Sequence, residues 1–242
     1  MNLIVLYPED YTEDGCVCIS DYRHRYVRDI HRPQLGARLK VGDVNGMTGS
    51  GEVVHISDSS LTLKVRCTER PPQPLELTLI IALPRPKVLQ RVLLTATTLG
   101  IKRIYICNSW RVDKSYWGSP VLTEQGISRQ LITGLEQAGD TLVPQVILRP
   151  RFKPFVEDEL PAIVHNNNAY VAHPGTSPVC PYNLGEIAVN DDKRQTLIAV
   201  GPEGGFIPYE FEKLVGVGFT PVTLGRRILR VETALTWLAA RM

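Results

Sequence analysis

Three neighbouring stretches constrain this chain most tightly: LTLIIAL at residues 77–83, KVLQRVLLTATTLG at 87–100 and KRIYIC at 102–107. The first is a continuous apolar run, as in a strand buried on both faces. The second places Val88, Leu89, Val92, Leu93, Ala96 and Leu99 on one helical face. Strand, amphipathic helix and strand within about thirty residues make a βαβ unit, which requires a parallel sheet covered by helices. The alternation continues to the end of the chain. It predicts helix over 123–139, strand over 142–148, a short helix near 155–162 and strands at 169–173, 196–200 and 221–224. Helices at 209–215 and 232–242 complete this α/β region.

Upstream the period is different. RLKVGDVNGMTGSGEVVHISDSSLTLKVRC, residues 38–67, alternates short β-rich runs with turn clusters at Gly42-Asp43, Asn45-Gly46, Gly49-Ser50-Gly51 and Asp58-Ser59-Ser60. This pattern reads as a small β-barrel or sandwich. Between the two regimes, ERPPQPLE at 69–76 has prolines at 71, 72 and 74, and such a stiff stretch suits a linker. The expected domains are therefore 1–72 and 73–242. A chain of 242 residues has ample length for two cores.

No apolar run reaches the roughly 18 to 20 residues that cross a bilayer, and MNLIVLYPED lacks the basic start of a secretory signal. A cytoplasmic location is the default expectation. The five cysteines, Cys16, Cys18, Cys67, Cys107 and Cys180, are odd in number and scattered, which suits free thiols in a reducing compartment.

The formal net charge is only +2, so any nucleic-acid site must come from local clustering. Between Arg23 and Lys40 there are six Lys or Arg, two His and one acid, Asp29. A solvated face is the ordinary fate of such a run. Tyr22 and Tyr26 among Arg23, Arg25, Arg28 and Arg32 favour RNA, because rings offer stacking platforms between phosphate contacts.

Three loops at the carboxyl ends of expected strands suggest one pocket: AHPGTSP at 172–178, GPEGGFIP at 201–208 and LGRRILR at 224–230. GPEGGF matches neither the phosphate-loop nor the dinucleotide-binding pattern. Its glycines allow close backbone approach to a ligand, Glu203 can accept from a backbone donor, and Pro208 suits a first helical turn. A tight strand-to-helix turn without a ligand fits the composition equally well. In LGRRILR, Arg226, Arg227 and Arg230 suit phosphate or base contacts, and Ile228 and Leu229 suggest a buried loop with outward-pointing arginines. His173 reads as a base or a hydrogen-bonded loop histidine. Asp191 and Asp192 read as a turn, and Trp110, Trp117 and Trp237 as core or interface residues.

GPEGGF followed about twenty residues later by LGRRILRVETA resembles the RsmE family, the 16S rRNA (uracil-N3) methyltransferases of the SPOUT superfamily, and the resemblance covers essentially the whole chain. It implies a PUA-like RNA-binding β-barrel over 1–72 and a SPOUT α/β domain with a trefoil knot over 73–242. It also implies an S-adenosyl-L-methionine site built from Ala172, His173, Pro174 and Gly175, from Gly201, Pro202, Glu203, Gly204 and Gly205, and from Leu224, Gly225, Arg227, Ile228 and Leu229. Arg230 would stabilise charge developing on the uracil and Glu232 would orient it. No metal is implied, because a sulfonium is already an activated donor. Arg23, Arg25, Arg28, Arg32 and Arg226 would contact RNA, and the chain would act as a homodimer through a terminal helix presenting Leu235 and Leu238. The implied substrate is the uridine at position 1498 of 16S rRNA in the small ribosomal subunit. Another rRNA or tRNA target, or a non-catalytic RNA-binding assembly protein, is the alternative. The chain departs from the family's pattern at Thr98, Asp140 and Val231.

Overall fold

A computed structural model describes residues 1–175 and 195–242. Cys180, Asp191, Asp192 and the end of AHPGTSP lie outside the described residues. The chain divides into two compact units. The first is Met1–Gln73 with Leu131–Val143, and the second is Pro74–Gln130 with Pro144–Met242.

In the first unit, β1 (Ile4–Leu6), β2 (Cys16–Ile19), β3 (Arg38–Asp43), β4 (Thr48–Ile56) and β5 (Leu61–Glu69) form one sheet in the order β1-β3-β4-β5-β2. β1 runs parallel to β3 and the other pairings are antiparallel. Of the expected turns, Asn45-Gly46 joins β3 to β4 and Asp58-Ser59-Ser60 joins β4 to β5, whereas Gly42-Asp43 ends β3 and Gly49-Ser50-Gly51 lies within β4, where its residues pair with both neighbouring strands. Asn45 takes the left-handed conformation, φ 58°, at the turn from β3 to β4. Ile4, Leu6, Val17, Ile19, Val41, Val53, Leu61 and Leu63 alternate inward to form its core. The basic cluster begins on α1 (Tyr22–Tyr26) and the π-helical turns over Val27–His31 that continue it, Arg32 caps those turns, and Arg38 and Lys40 lie on β3.

Leu131–Val143 belongs to this unit through long-range contacts. The amides of Asn2 and Leu3 donate to the Glu136 carbonyl at 2.7 and 3.1 Å, and the Thr141 hydroxyl donates to the Gly46 carbonyl at 2.6 Å. Leu3, Val5, Ile132 and Leu135 form a second apolar cluster there.

The second unit is an α/β structure on a parallel sheet. Its strands are β6 (Leu75–Ala82), β7 (Ile101–Cys107), β8 (Gln145–Arg149), β9 (Asn168–Ala172), β10 (Thr196–Val200) and β11 (Thr220–Val222). Their order is β11-β9-β10-β6-β7-β8, and every pairing is parallel. Val222, Ala172, Val200, Ile81, Ile106 and Leu148 stand in register near the carboxyl ends, so the loops after all six strands leave along one edge.

The helices are α2 (Pro86–Thr98), α3 (Glu124–Ala138), α4 (Phe152–Pro154), α5 (Leu160–Val164), α6 (Pro208–Gly216) and α7 (Val231–Ala239). α2 starts at Pro86, whose fixed φ suits a first turn. It buries Leu89, Val92, Leu93 and Ala96 at the expected spacing. α7 packs on α2 and β10, leaving Leu235 and Leu238 with 0% exposure. The sequence suggested a face presented to a second copy, but these leucines belong to the chain's own core.

Candidate functional site

GPEGGFIP forms the turn from β10 to α6, and space there explains its composition. A Cβ on Gly201 would lie 2.9 Å from the Phe206 amide nitrogen, nearer than side chains tolerate. Gly205 has φ 71°, which L-residues other than Asn and Asp seldom adopt. Glu203 accepts from the Arg85 amide at 3.0 Å, joining this turn to the carboxyl end of β6. Arg111, after β7, donates to the Gly204 carbonyl.

The end of α6 is held by Glu210, a buried carboxylate. It accepts from the Ile207 amide at 3.1 Å, the Ser109 hydroxyl at 2.9 Å and the Trp110 amide at 2.6 Å. One side chain thus caps α6 and pins the loop after β7. Cys107 is fully buried beside it, and burial first, then the Glu210 charge, pushes its thiol up to about 12. It is inert as a nucleophile.

A cavity of about 480 Å³, within the range for small-molecule sites, opens where the loops after β9, β10 and β11 converge. Ala172, His173 and Pro174 line it from the first loop. Gly201, Pro202, Glu203 and Gly205 line it from the second, and Leu224, Gly225, Arg227, Ile228, Leu229 and Arg230 from the third. Glu232, in the first turn of α7, completes this wall. Gly175, Gly204 and Arg226 are not among the lining residues.

Several lining residues escaped the sequence reading: Arg85, Val88, Arg91 and Thr223. Arg85 had a usable signal, since it follows a strand at the same edge. Arg91 had none, because it reads as the polar face of α2. It is the partner of Glu232, with N···O 3.1 Å, so the carboxylate expected to orient Arg230 engages a different guanidinium.

His173 is half-buried, packs against the Phe211 ring in a tilted contact with centroids 4.7 Å apart, and donates its amide to the Val222 carbonyl. Burial, then the nearby Arg111 charge, lowers its imidazole below the usual histidine value, which favours the neutral ring. The charged groups of the cavity are then Arg85, Arg91, Arg227, Arg230, Glu203 and Glu232.

Among the arginines expected to meet RNA, Arg23 is misplaced. Its side chain is 4% exposed, makes a two-pronged contact with Asp10 at 2.6 and 2.7 Å, and pairs with Asp21 at 2.8 Å. It is an internal tie and not a surface contact. Arg25 and Arg32 are exposed, and Arg28 is half-exposed and bonded to Asp29 at 2.8 Å. The loop 224–230 is also more open than expected, since Ile228 is 83% exposed. Trp110, read as core or interface, is 80% exposed.

The three departures from the family's pattern have local structural roles. Thr98 bonds back to the Leu94 carbonyl, buried Asp140 accepts from the amides of Thr141 and Leu142, and Val231 is buried at the start of α7.

Residues 71–242 match the family model described as an RNA methyltransferase domain. The chain is 29% identical over 234 residues to the ribosomal RNA small subunit methyltransferase E of Treponema pallidum, covering 96% of this chain and 86% of that one. It is 26% identical over 257 residues to the protein of the same name from Synechocystis, covering 99% and 76%. A crystal structure of the ribosomal RNA small subunit methyltransferase E of Neisseria gonorrhoeae bound to S-adenosyl methionine superposes with a TM-score of 0.76. It shares 23% identity and covers 99% of this chain and 95% of that one.

Proposed function

The chain belongs to the RNA methyltransferase domain family, and from that premise we propose that it methylates N3 of a uridine in 16S rRNA, at position 1498, using S-adenosyl-L-methionine. The observation that carries the reading is the convergence of AHPG, GPEGG and LGRRILR on one cavity at the carboxyl edge of a parallel sheet. The named activity of the Treponema and Synechocystis relatives supports the small-subunit rRNA target.

The residues present fit the cofactor. The cavity has room for a nucleoside-sized ligand, Gly201, Gly205 and Gly225 bring bare backbone to its wall beside Val88, Ile228 and Leu229, and the lowered His173 imidazole disfavours an imidazolium beside a sulfonium. When bound, S-adenosylmethionine supplies an electrophilic methyl group. Ala172 to Pro174, Gly201 to Glu203 with Gly205, and Leu224, Gly225 and Arg227 to Leu229 would hold it, chiefly through backbone groups.

The nucleophile needs help because N3 of uracil carries a proton and its lone pair becomes available only when that proton leaves. The negative charge then spreads to the flanking carbonyl oxygens. Arg230, on the cavity wall beside α7, is the guanidinium we assign to that charge. Glu232 positions Arg91 at the same wall. In this reading the unit of Met1–Gln73, with Leu131–Val143 added to it, is a PUA-like RNA-binding barrel, and Pro74–Gln130 with Pro144–Met242 is a knotted SPOUT domain. A homodimer is favoured by the exposed Ile228 beside the cavity. The described residues contain no helix long and apolar enough to cross a membrane, and a cytoplasmic location fits the ribosomal substrate.

The test uses small subunits from a strain lacking this protein. Wild-type chain and S-adenosylmethionine are expected to add one methyl group to the decoding-region uridine, read by mass spectrometry of digested 16S rRNA. Arg230→Ala should lower turnover about 100- to 1,000-fold, the scale for losing one preorganised charge-stabilising donor, with cofactor affinity intact. An unmodified uridine after wild-type treatment overturns the target, and full activity in Arg230→Ala overturns its role.

A further inference from the structure

The cavity occupies the β11, β9 and β10 side of the sheet edge and takes in Arg85 from the loop after β6, and the loops after β7 and β8 continue that edge away from it. Segments 83–87, 108–114 and 150–153 carry six cations, Arg85, Lys87, Arg111, Lys114, Arg151 and Lys153, against a single acid, Asp113. All six cations are exposed, and one of them, Lys153, is paired with Glu157 at 3.8 Å, which leaves five to face an anion. Asp113 is occupied locally, accepting from the Ser115 amide and hydroxyl at 2.8 Å each.

Trp110 stands in the middle of these segments, and its indole is 80% exposed on a backbone that is firmly held. Its amide donates to buried Glu210 at 2.6 Å, Ser109 donates to the same carboxylate, and the Val112 amide closes a turn on the Ser109 carbonyl at 3.0 Å. The Trp117 indole N–H donates to Asn108 at 3.1 Å from the other side. The next residue, Arg111, reaches the Gly204 carbonyl in the glycine turn of the cavity. An exposed tryptophan costs apolar surface, yet here the ordering of its backbone is already complete. That is the arrangement of a stacking platform, and the surrounding charge selects a polyanion.

We infer that Trp110 stacks on an unpaired base of the substrate RNA beside the target nucleotide, while Lys114 and Arg151 hold the flanking phosphates along the β6–β7–β8 edge. This rests on the RNA methyltransferase reading and adds to it a second RNA surface, separate from the basic cluster on α1. Stacking tolerates any base, so the platform fixes the strand's path and leaves the choice of uridine to the cavity.

The experiment measures binding of a fluorescein-labelled oligouridylate to the full chain, with S-adenosylmethionine affinity followed by calorimetry. Trp110→Ala should weaken oligouridylate binding roughly 5- to 150-fold, the range for removing one base–aromatic stack, and Trp110→Phe should retain most of it. Cofactor affinity should be unchanged in both. Lys114→Ala with Arg151→Ala should lower the slope of log affinity against log salt by about 0.7 for each phosphate no longer neutralised. Equal affinity in wild type, Trp110→Ala and Trp110→Phe overturns the inference, as does a wild-type chain that does not bind the oligonucleotide. Wild type that binds through Trp110 but leaves small subunits unmethylated refutes the target reading alone, so the two failures are distinguishable.

Discussion

At the scale of single residues, the same side-chain type serves opposite purposes according to its surroundings. Arg23 and Arg25 stand two apart in one basic run, yet Arg23 is sealed against Asp10 and Asp21 while Arg25 faces solvent. Removing one partner of a buried pair strands the other charge, so Arg23→Ala is expected to destabilise the chain by roughly 3 to 5 kcal/mol in urea unfolding. Arg25→Ala should leave stability within about 0.5 kcal/mol, as exposed substitutions do, and weaken RNA binding instead. An Arg23→Ala protein of normal stability and reduced RNA affinity would restore Arg23 to the RNA surface. Counting charges along the sequence cannot make this distinction, because the partner Asp10 lies in a separate turn and only folding brings the two together. Trp110 is the converse: an apolar side chain implies burial by default, and only the packing shows that its indole is left outside.

At the scale of elements, β6, α2 and β7 were legible because periodicity is a local signal and their neighbours in sequence are also their neighbours in space. β1 and β2 were not assigned: they are three and four residues long, and β1 pairs with β3 across more than thirty residues. The membership of Leu131–Val143 in the first unit was equally hidden, since the bonds from Asn2, Leu3 and Thr141 that create it connect distant positions. The loops of the cavity were legible as loops after strands, whereas Arg91 entered the wall only through the packing of α7 on α2. Glu210 shows how much one buried side chain organises. It carries the α6 cap and the loop after β7 together, so Glu210→Ala leaves the Ile207 and Trp110 amides without their acceptor. A cost of about 1 to 3 kcal/mol is expected for the buried Ser109 hydroxyl left without its acceptor, and less for these two part-buried amides, which water can reach. Hydrogen exchange should then speed up at residues 108–112 as well as at the start of α6. Faster exchange at α6 alone would show that the loop has another support.

At the scale of the whole molecule, a net charge of +2 cannot draw in a ribosomal polyanion by its overall field, so affinity must come from local patches. Among the described residues two such patches stand in different units: the exposed arginines on and after α1 in the first, and the β6–β7–β8 edge in the second. Each phosphate that a side chain neutralises releases counterions, and the salt dependence of binding therefore counts phosphates independently of base identity. The double substitution Arg25→Ala with Arg32→Ala should weaken binding to small subunits and lower the salt slope by about 1.4 to 1.8, at roughly 0.7 to 0.9 per phosphate. Cofactor affinity should not change, because neither arginine lines the cavity. Combined with Lys114→Ala and Arg151→Ala, the decreases in binding free energy should add, as they do for sites without shared partners. An unchanged slope in the Arg25→Ala, Arg32→Ala protein would confine the RNA to the sheet edge and make the basic run after Arg23 a solvated face. A slope lowered by both pairs, with additive decreases, requires one RNA to engage both units of the same chain or of a second copy, and that is the geometry a structured ribosomal substrate supplies and a short oligonucleotide does not.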